Sequence, residues 1–406
     1  MPTMIALRTL QVVLAVYAIL WATYVVLMPV LAALRRARAK SPSAPQAVPS
    51  IAVIVPAHNM QATIGDCVAA LKASEYPSHR VTIYVVADNC TDETSRRAQQ
   101  AGAVVLVRNE QPAGKTYAIA WTLASLAGFQ TDPDLYVITD ATAQVDRGFL
   151  AGLAAAWRAG DDIIVGHSIL AAANRKWFAK CLGLTLVHRN LQNWARERVG
   201  LSALIEGRGM AYSRRYIQEF AWSLALPTDS QAGQHPTEDW RHGVRVVEHG
   251  YRVAYADDAR VFTSLRDNLA AATRQGIRWE RGRQLNAITH GLGLLTRALK
   301  VRDRLTLFAA LDAIQPPVAI LGVLCVCLAI LTLAAPGGRL LGVLGIAPVG
   351  LMAIYGFQVT LRGRHDGIPP ATVAWAPVYL LWRLSAFVLA WTSLDRMKTA
   401  RNRPDR

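Results

Sequence analysis

The sequence predicts an α/β fold: a mostly parallel, Rossmann-like sheet with helices on its faces, carried between transmembrane helices at the N- and C-terminal ends. Three observations lead there. Short β-branched runs alternate with helix-length stretches through the middle of the chain, long charge-free runs flank them, and the excess positive charge gathers beside those runs. The chain has 406 residues, more than one average domain of about 100–200. Hydrophobic types make up 52% and charged types 18%, with a mean hydropathy of +0.22. That is too apolar for a disordered chain and high for a purely soluble one.

The first apolar run, Leu10 to Leu34, holds 25 residues without a charge. At about 1.5 Å per residue it can cross about 30 Å of hydrocarbon, so a transmembrane helix is expected. A signal peptide has a shorter apolar stretch and a small-residue cleavage site, so cleavage is not expected. Arg35, Arg36, Arg38 and Lys40 follow, and the positive-inside rule puts them in the cytoplasm. Residues 1–40 thus read as a membrane helix with a basic flank, and residues 41–50, with three prolines, as an extended linker.

Residues 51–303 read as the catalytic-sized domain. Ile51 to Pro56, Val81 to Ala87, Ala103 to Val107 and Leu135 to Thr139 are bounded apolar runs of strand length. Gln61 to Ser74, Asp92 to Ala101 and Lys115 to Gly128, between them, read as helices. This β-α-β-α-β-α-β order implies parallel strands covered on both faces. Ligands of such sheets sit beyond the carboxyl ends of the strands, and there the polar residues gather: His58 and Asn59, Asp88 to Asp92, and Asp140. Taken singly, Asp88 and Asn59 read equally well as helix caps.

Residues 304–406 read as a C-terminal membrane region. Ala313 to Ala335 and Leu340 to Leu361 are charge-free runs of 23 and 22 residues joined by Pro336-Gly337-Gly338-Arg339. They predict a hairpin over 313–361 that starts and ends in the cytoplasm, since Arg362 and Arg364 follow its return. Residues 368–394 are long enough to span. Arg383 sits in their middle, however, and Arg396, Lys398, Arg401, Arg403 and Arg406 follow. A mid-bilayer Arg is costly, which favours an interfacial or re-entrant segment over a fourth span. Gly282 to Arg304, basic and apolar in turn, suits an amphipathic stretch lying on the membrane.

The net charge of +16 would by itself suggest nucleic acid. Residues 41–303 hold 29 Lys and Arg against 24 Asp and Glu, whereas the flanks hold 15 against 4. The excess therefore lies where anionic headgroups attract it, and membrane lipids, not nucleic acid, are the expected partners. The five cysteines form no CxxC pair and no metal spacing, which supports neither a zinc site nor a disulfide scaffold. Asn109 to Thr116 lacks the first glycine of a P-loop. His235, His242 and His249 recur every seven residues, too spread for one metal, and read as solvated or capping side chains. No GxSxG elbow is present, so an acyl hydrolase is not supported.

Six pieces now fall in order over about 230 residues. They are Val55-Pro56-Ala57-His58-Asn59, Ala87-Asp88-Asn89-Cys90-Thr91-Asp92-Glu93-Thr94, Gly114-Lys115-Thr116-Tyr117-Ala118, Asp140, Thr237-Glu238-Asp239 and Gln275-Gly276-Ile277-Arg278-Trp279. Together they resemble the family-2 glycosyltransferases, inverting enzymes of the GT-A fold that include cellulose, chitin and hyaluronan synthases and many lipid-linked sugar transferases. The resemblance implies a nucleotide-sugar donor. Pro56, His58, Asn59 and Asp88 would hold its nucleoside, with Lys115, Asp140, Gln275, Arg278 and Trp279 at the diphosphate, where an Arg can clamp phosphate oxygens and positioned cations stabilise the departing charge. Asp239 would be the general base that deprotonates the acceptor hydroxyl; its plain alternative is a first-turn helix carboxylate. Gly207, Arg208, Gly209, Met210 and Glu238 would lie on the acceptor side, Arg208 meeting a lipid-carrier phosphate.

One departure stands out. The family usually has Asp-x-Asp after the fourth strand, and here Thr142 takes the second place. A divalent cation, Mg²⁺ or Mn²⁺, would then rely on Asp140, donor oxygens and water. The expected function is transfer of a hexose from a nucleotide-sugar, a UDP-sugar in first place, to a lipid-linked or saccharide acceptor. The site would face the cytoplasm from a multi-pass protein of a bacterial-type inner membrane, with a homo-oligomer left open. One alternative is a processive β-polysaccharide synthase, for which three or four spans are sparse. Another is an inactive nucleotide-sugar-binding scaffold, which has no need of Asp239.

Overall fold

The computed structural model describes residues 2–35, 48–128, 132–171, 177–205, 207–223, 225–226, 238–263, 269–334 and 339–401. Helix α1 (Pro2–Leu34) is the first apolar run. Then come β1 (Ile51–Ala57), α2 (Ile64–Lys72), β2 (Val81–Asp88), α3 (Thr94–Gln100), β3 (Val104–Arg108), α4 (Lys115–Gly128) and β4 (Leu135–Ile138). All seven fall on the expected runs. On β1, Ile51, Val53 and Val55 enter the core on one face while Ala52 and Ile54 enter the core on the other, as a strand covered on both sides requires. The carboxylate that opens α3 is Asp92, which accepts from Thr94 N at 3.0 Å. Asp88 is therefore not the cap.

The second half of the domain contains β5 (Gln144–Val145), α5 (Phe149–Arg158), β6 (Ile163–Leu170), α6 (Trp177–Val199), β7 (Met210–Ser213), α7 (Arg214–Phe220), α8 (Glu238–Glu248) and β8 (Val253–Thr263). Among the described residues the sheet has eight strands in the order β3-β2-β1-β4-β7-β6-β8-β5. The first four are parallel. β7 then runs antiparallel to both β4 and β6, and β5 antiparallel to β8, while β6 and β8 pair in parallel. The sheet is thus mixed, and the mostly parallel expectation describes its first half. Strand order switches between β1 and β4, which is where a ligand crevice opens in such sheets.

The C-terminal helical part comprises α9 (Leu269–Asn286), a π-helical turn at Ala287–Gly291, α10 (Leu292–Val301), α11 (Arg304–Ile314), α12 (Val318–Ala334), α13 (Arg339–His365) and α14 (Ala376–Arg401), the last preceded by a 3₁₀ turn at Pro370–Trp375. Ile5–Leu34, Arg339–His365 and Pro370–Thr392 are long and apolar enough to cross a membrane, and α11 with α12 qualifies as a pair bent by 62°. The run from Ala313 is therefore not one straight helix. Pro316 and Pro317 have no N–H to donate and hold the preceding residues out of helical geometry, so α11 stops at Ile314. The Pro336-Gly337-Gly338 turn lies outside the described residues. Arg383, the charge in the middle of the last apolar stretch, is buried and paired with Glu280 on α9.

Helix α6 joins the sheet to the flanking apolar helices. Its Val187, Leu191 and Ala195 pack against Val25, Met28 and Ala32 near the C-terminal end of α1 and against Tyr355 and Val359 of α13. Buried polar bonds fix the joint: Gln192 Nε2 donates to Val25 O at 3.1 Å and to the Tyr355 hydroxyl at 3.2 Å, and Arg196 pairs with Asp312 of α11, which also accepts from Tyr24 of α1 at 3.0 Å. A second joint centres on His167 of β6. A bulge in β8 opposite Gly166 and His167 brings Asp257 to 2.7 Å from Nδ1, and Asp366, just past α13, lies 2.9 Å from Nε2. Arg362 pairs with Asp257, and the Tyr255 hydroxyl lies 2.9 Å from Nδ1.

Candidate active site

The cleft is built around Lys115, the first residue of α4. Just before it, Gly114 N donates to Asp88 Oδ2 at 2.9 Å. Asp88 ends β2, is buried, and accepts at its other oxygen from Arg108 Nη1 at 2.6 Å. A buried carboxylate needs such a partner, and Arg108, at the end of β3, supplies it. His58 Nδ1 hydrogen-bonds Asp88 O at 2.8 Å, and Asn59 Oδ1 accepts from Thr91 N at 2.8 Å, so the loops after β1 and β2 are tied together beside Pro56.

Lys115 Nζ reaches across to Asp140 Oδ1 at 2.7 Å and donates to Gly207 O. Burial resists ionisation of Asp140, yet the Lys115 ammonium, its hydrogen bond and the Arg208 charge hold the carboxyl below the usual carboxylate range. Asp239 completes the set from the first turn of α8. It lies so close to Gly207 that a Cβ there would stand 2.0 Å from Asp239 Oδ2, and Gly207 itself has φ +72°. Only glycine fits that conformation and that approach. Asp88, Asp140 and Asp239 thus surround one lysine segment, as the sequence requires of them.

Lys115, Gly207 and Asp239 line a half-open cleft whose wall includes the buried side chains of Ile138, Tyr212 and His242. His242 is buried and shares a 2.8 Å hydrogen bond with the Tyr216 hydroxyl. Burial, with Arg245 behind it, pushes its imidazole down to about 3, so it is neutral. This corrects the solvated or capping reading of His242. His249 is exposed and bonds its own helix at Arg245 O, and His235 lies outside the described residues. Arg208 Nη1 donates to Thr263 Oγ1 at 2.6 Å, while its Nε has no partner among the described residues. Gly209 and Met210 follow it into β7. Thr237 is outside the described residues, and of Glu238 only the backbone is described, at the start of α8.

Gln275, Arg278 and Trp279 are not brought into this contact set. They stand on α9, Arg278 exposed and the other two half-buried. The contacts of α9 run to α14, where Trp382 Nε1 donates to Thr273 Oγ1 at 2.9 Å, and to Phe178 and Leu182 of α6 through Ala272. For a divalent cation the protein offers little: no group of three His, Cys, Asp or Glu side chains among the described residues could hold one. Lys115 holds Asp140 Oδ1, and the Asp140 side chain is 38% exposed. One carboxylate oxygen fits an ion that brings donor phosphates and water as its other ligands.

Sequence reasoning missed Arg108, His242, Tyr212 and the His167 joint. A basic residue closing an apolar strand, as Arg108 does, is a signal that could have been read. The others have none, because only the tertiary fold brings them to their partners.

The family model described as Glycosyltransferase like family 2 matches residues 49–282. Among curated proteins, the probable glycosyltransferase YdaM of Bacillus subtilis is 24% identical over 249 residues, 58% of this chain and 56% of that protein. The chain thus matches little more than half the length of that relative. Among solved structures, the mannosyltransferase PcManGT from Pyrobaculum calidifontis, in complex with GDP-Man and Mn²⁺, matches with a TM-score of 0.52 at 17% identity over 92% of this chain and 99% of that one. The fold is shared. Glucosyl-3-phosphoglycerate synthase from Mycobacterium tuberculosis, in complex with Mn²⁺, UDP-glucose and phosphoglyceric acid, matches with a TM-score of 0.38 at 19% identity over 58% of this chain and 77% of that one.

Proposed function

The chain belongs to glycosyltransferase family 2, and from that membership we propose an inverting, membrane-bound hexosyltransferase that draws on a nucleotide-sugar, a UDP-sugar in first place, and serves a lipid-linked or saccharide acceptor. The observation that carries the reading is the single lysine segment that links Asp88, Asp140 and, through Gly207, Asp239.

In this reading Asp239 takes the proton of the acceptor hydroxyl while that oxygen attacks the anomeric carbon. The bond from that carbon to the diphosphate oxygen breaks, and one displacement from the opposite face inverts the configuration. Lys115 faces the departing diphosphate, where a fixed ammonium in a half-closed cleft stabilises charge that grows only as the bond breaks. Asp88 and the His58-Asn59 loop take the nucleoside side. Asp140 is the residue that would hold Mg²⁺ or Mn²⁺, and a bound ion would add Lewis-acid neutralisation of the diphosphate. Arg278 and Trp279 would contribute at the leaving group from α9, and Arg208 at an acceptor phosphate.

The membrane reading is supported by α1, α13 and the bent α11–α12 pair, all apolar enough to span, with the basic residue Arg35 after α1 and Arg362 and Arg364 at the end of α13 on the cytoplasmic side, and with the last apolar stretch, which carries Arg383, as the interfacial or re-entrant segment. Ile288, Leu292 and Leu299 form an exposed apolar stripe at helical spacing, suited to lie on the bilayer surface beside the cleft. The test is transfer by the purified full chain across a panel of nucleotide-sugars, with Asp239→Asn beside it. The variant should keep donor binding and lose transfer by about 10²–10⁴-fold. Near-normal turnover would refute the assignment of the base.

A further inference from the structure

Ala221 and Trp222 stand at φ +43° and +68°, the left-handed region that side-chain-bearing residues avoid. The turn after α7 is pinned in that shape. Ala221 N donates to Ile217 O at 2.7 Å, Ser223 N to Phe220 O at 2.7 Å, and Ala225 N to Trp222 O at 3.0 Å. What the strained turn delivers is the Trp222 indole, 5% exposed, into the wall of the cleft that Lys115, Gly207 and Asp239 also line. Tyr212 and His242 meet it edge to face, with ring centroids 5.0 Å and 4.9 Å away.

Trp222 Nε1–H has no hydrogen-bond partner among the described residues. The nearest aromatic nitrogen offers none, because His242 Nε2 is already engaged with the Tyr216 hydroxyl. A ring needed only to fill the core would be better as Phe, since a buried donor left unmade costs more than the same space filled by carbon. Beside them the wall is apolar at Ile119, Ile138, Met210 and Ala225 and polar at Thr116. A pyranose matches such a surface: its C–H face lies against apolar and aromatic groups while its hydroxyls accept from a few placed donors.

We infer that the aromatic end of the cleft is a pyranose subsite in which Trp222 Nε1 donates a hydrogen bond to a ring hydroxyl, making Trp222 a specificity-determining residue. The inference rests on the reading of the cleft as a glycosyl-transfer centre. The ring can come from the donor or from the acceptor, and the experiment separates the two.

Trp222→Phe in the full chain keeps the ring and removes the N–H. Affinities of wild type and variant are compared for UDP-glucose, UDP-N-acetylglucosamine and GDP-mannose against UDP and GDP, and KM is compared for saccharide acceptors. A donor subsite gives about fivefold weaker binding of the accepted nucleotide-sugar with the free diphosphate unchanged. An acceptor subsite gives a similar rise in acceptor KM alone. Equal values in both arms overturn the inference. A measurement on the wild type stands if the variant does not fold: saturation-transfer NMR with irradiation of the aromatic protein resonances should label the pyranose ring protons of the bound nucleotide-sugar or saccharide, and labelling confined to the nucleoside, with none on any pyranose ring, overturns it. If wild type transfers sugar, Asp239→Asn does not, and Trp222→Phe equals wild type, the subsite alone falls. If wild type binds no nucleotide-sugar, the parent reading falls with it.

Discussion

Gly207 holds the candidate site together more tightly than any charged residue in it. Its carbonyl receives Lys115, its bare Cα lets Asp239 close in, and its φ of +72° lies where a side-chain-bearing residue is strained. Gly207→Ala should therefore move the Asp239 carboxylate and cut turnover by about 10²-fold, since misplacement of a reacting group by an ångström has that cost. Far-UV circular dichroism should stay unchanged, and full activity with intact structure would sink the geometry. At this scale the sequence was informative where polar residues interrupt apolar strands: Asp88, Asp140 and His58 stand out at strand ends. It was silent on Trp222 and misread His242 as solvated or capping, because their place depends on a left-handed turn and on burial among rings brought from distant elements. Asp88 was ambiguous between cap and site until Asp92 proved to be the carboxylate bonded to the first amide of α3 and Arg108 the partner of Asp88.

Among the elements, the parallel strands β1 to β4 were legible because each is a bounded apolar run with both faces buried. β7, four residues long and antiparallel, carries no such signal, and α6 mixes buried polar residues such as Asn190, Gln192 and Asn193 with apolar ones, which blurs its period. Two of those amides bond backbone carbonyls of the elements that enclose the helix, Asn190 at Ser168 of β6 and Gln192 at Val25 of α1. The pairing of α9 with α14 tests the same logic. Glu280 meets Arg383 and, at 3.4 Å, Arg283. Glu280→Gln leaves Arg383 buried without its counter-charge and should destabilise by about 3–5 kcal/mol. Arg383→Met should cost less, because Arg283 remains to the carboxylate. Thermal unfolding in detergent that ranks the two in the reverse order would refute the pairing.

At the scale of the whole molecule, the His167 joint makes stability depend on pH. Burial works against the charged imidazole, but hydrogen bonds and charge from Asp257 and Asp366 outweigh it and raise His167 above its ordinary 6.5. For Asp257 burial is again overcome, by His167 and Arg362, and its carboxyl falls from 3.8 to about 2. A raised cation stabilises fully below its unfolded value and loses the contribution as pH rises through the folded one; a depressed carboxylate contributes above its unfolded value and loses it as pH falls through the folded one. The joint, which Tyr255 also faces, should be firmest between pH 3.8 and 6.5. His167→Gln should remove the alkaline-side loss of thermal stability, and identical pH profiles for variant and wild type would rule the joint out as its source. Nothing in the sequence pointed to this pairing, since His167 and Asp366 lie 199 residues apart. That separation bears on biogenesis. β6 leaves the ribosome long before Asp366 exists, so His167 gains its second carboxylate only after α13 has been synthesised. A fragment cut before α13 would keep Asp257 beside the imidazole but lack both Asp366 and Arg362.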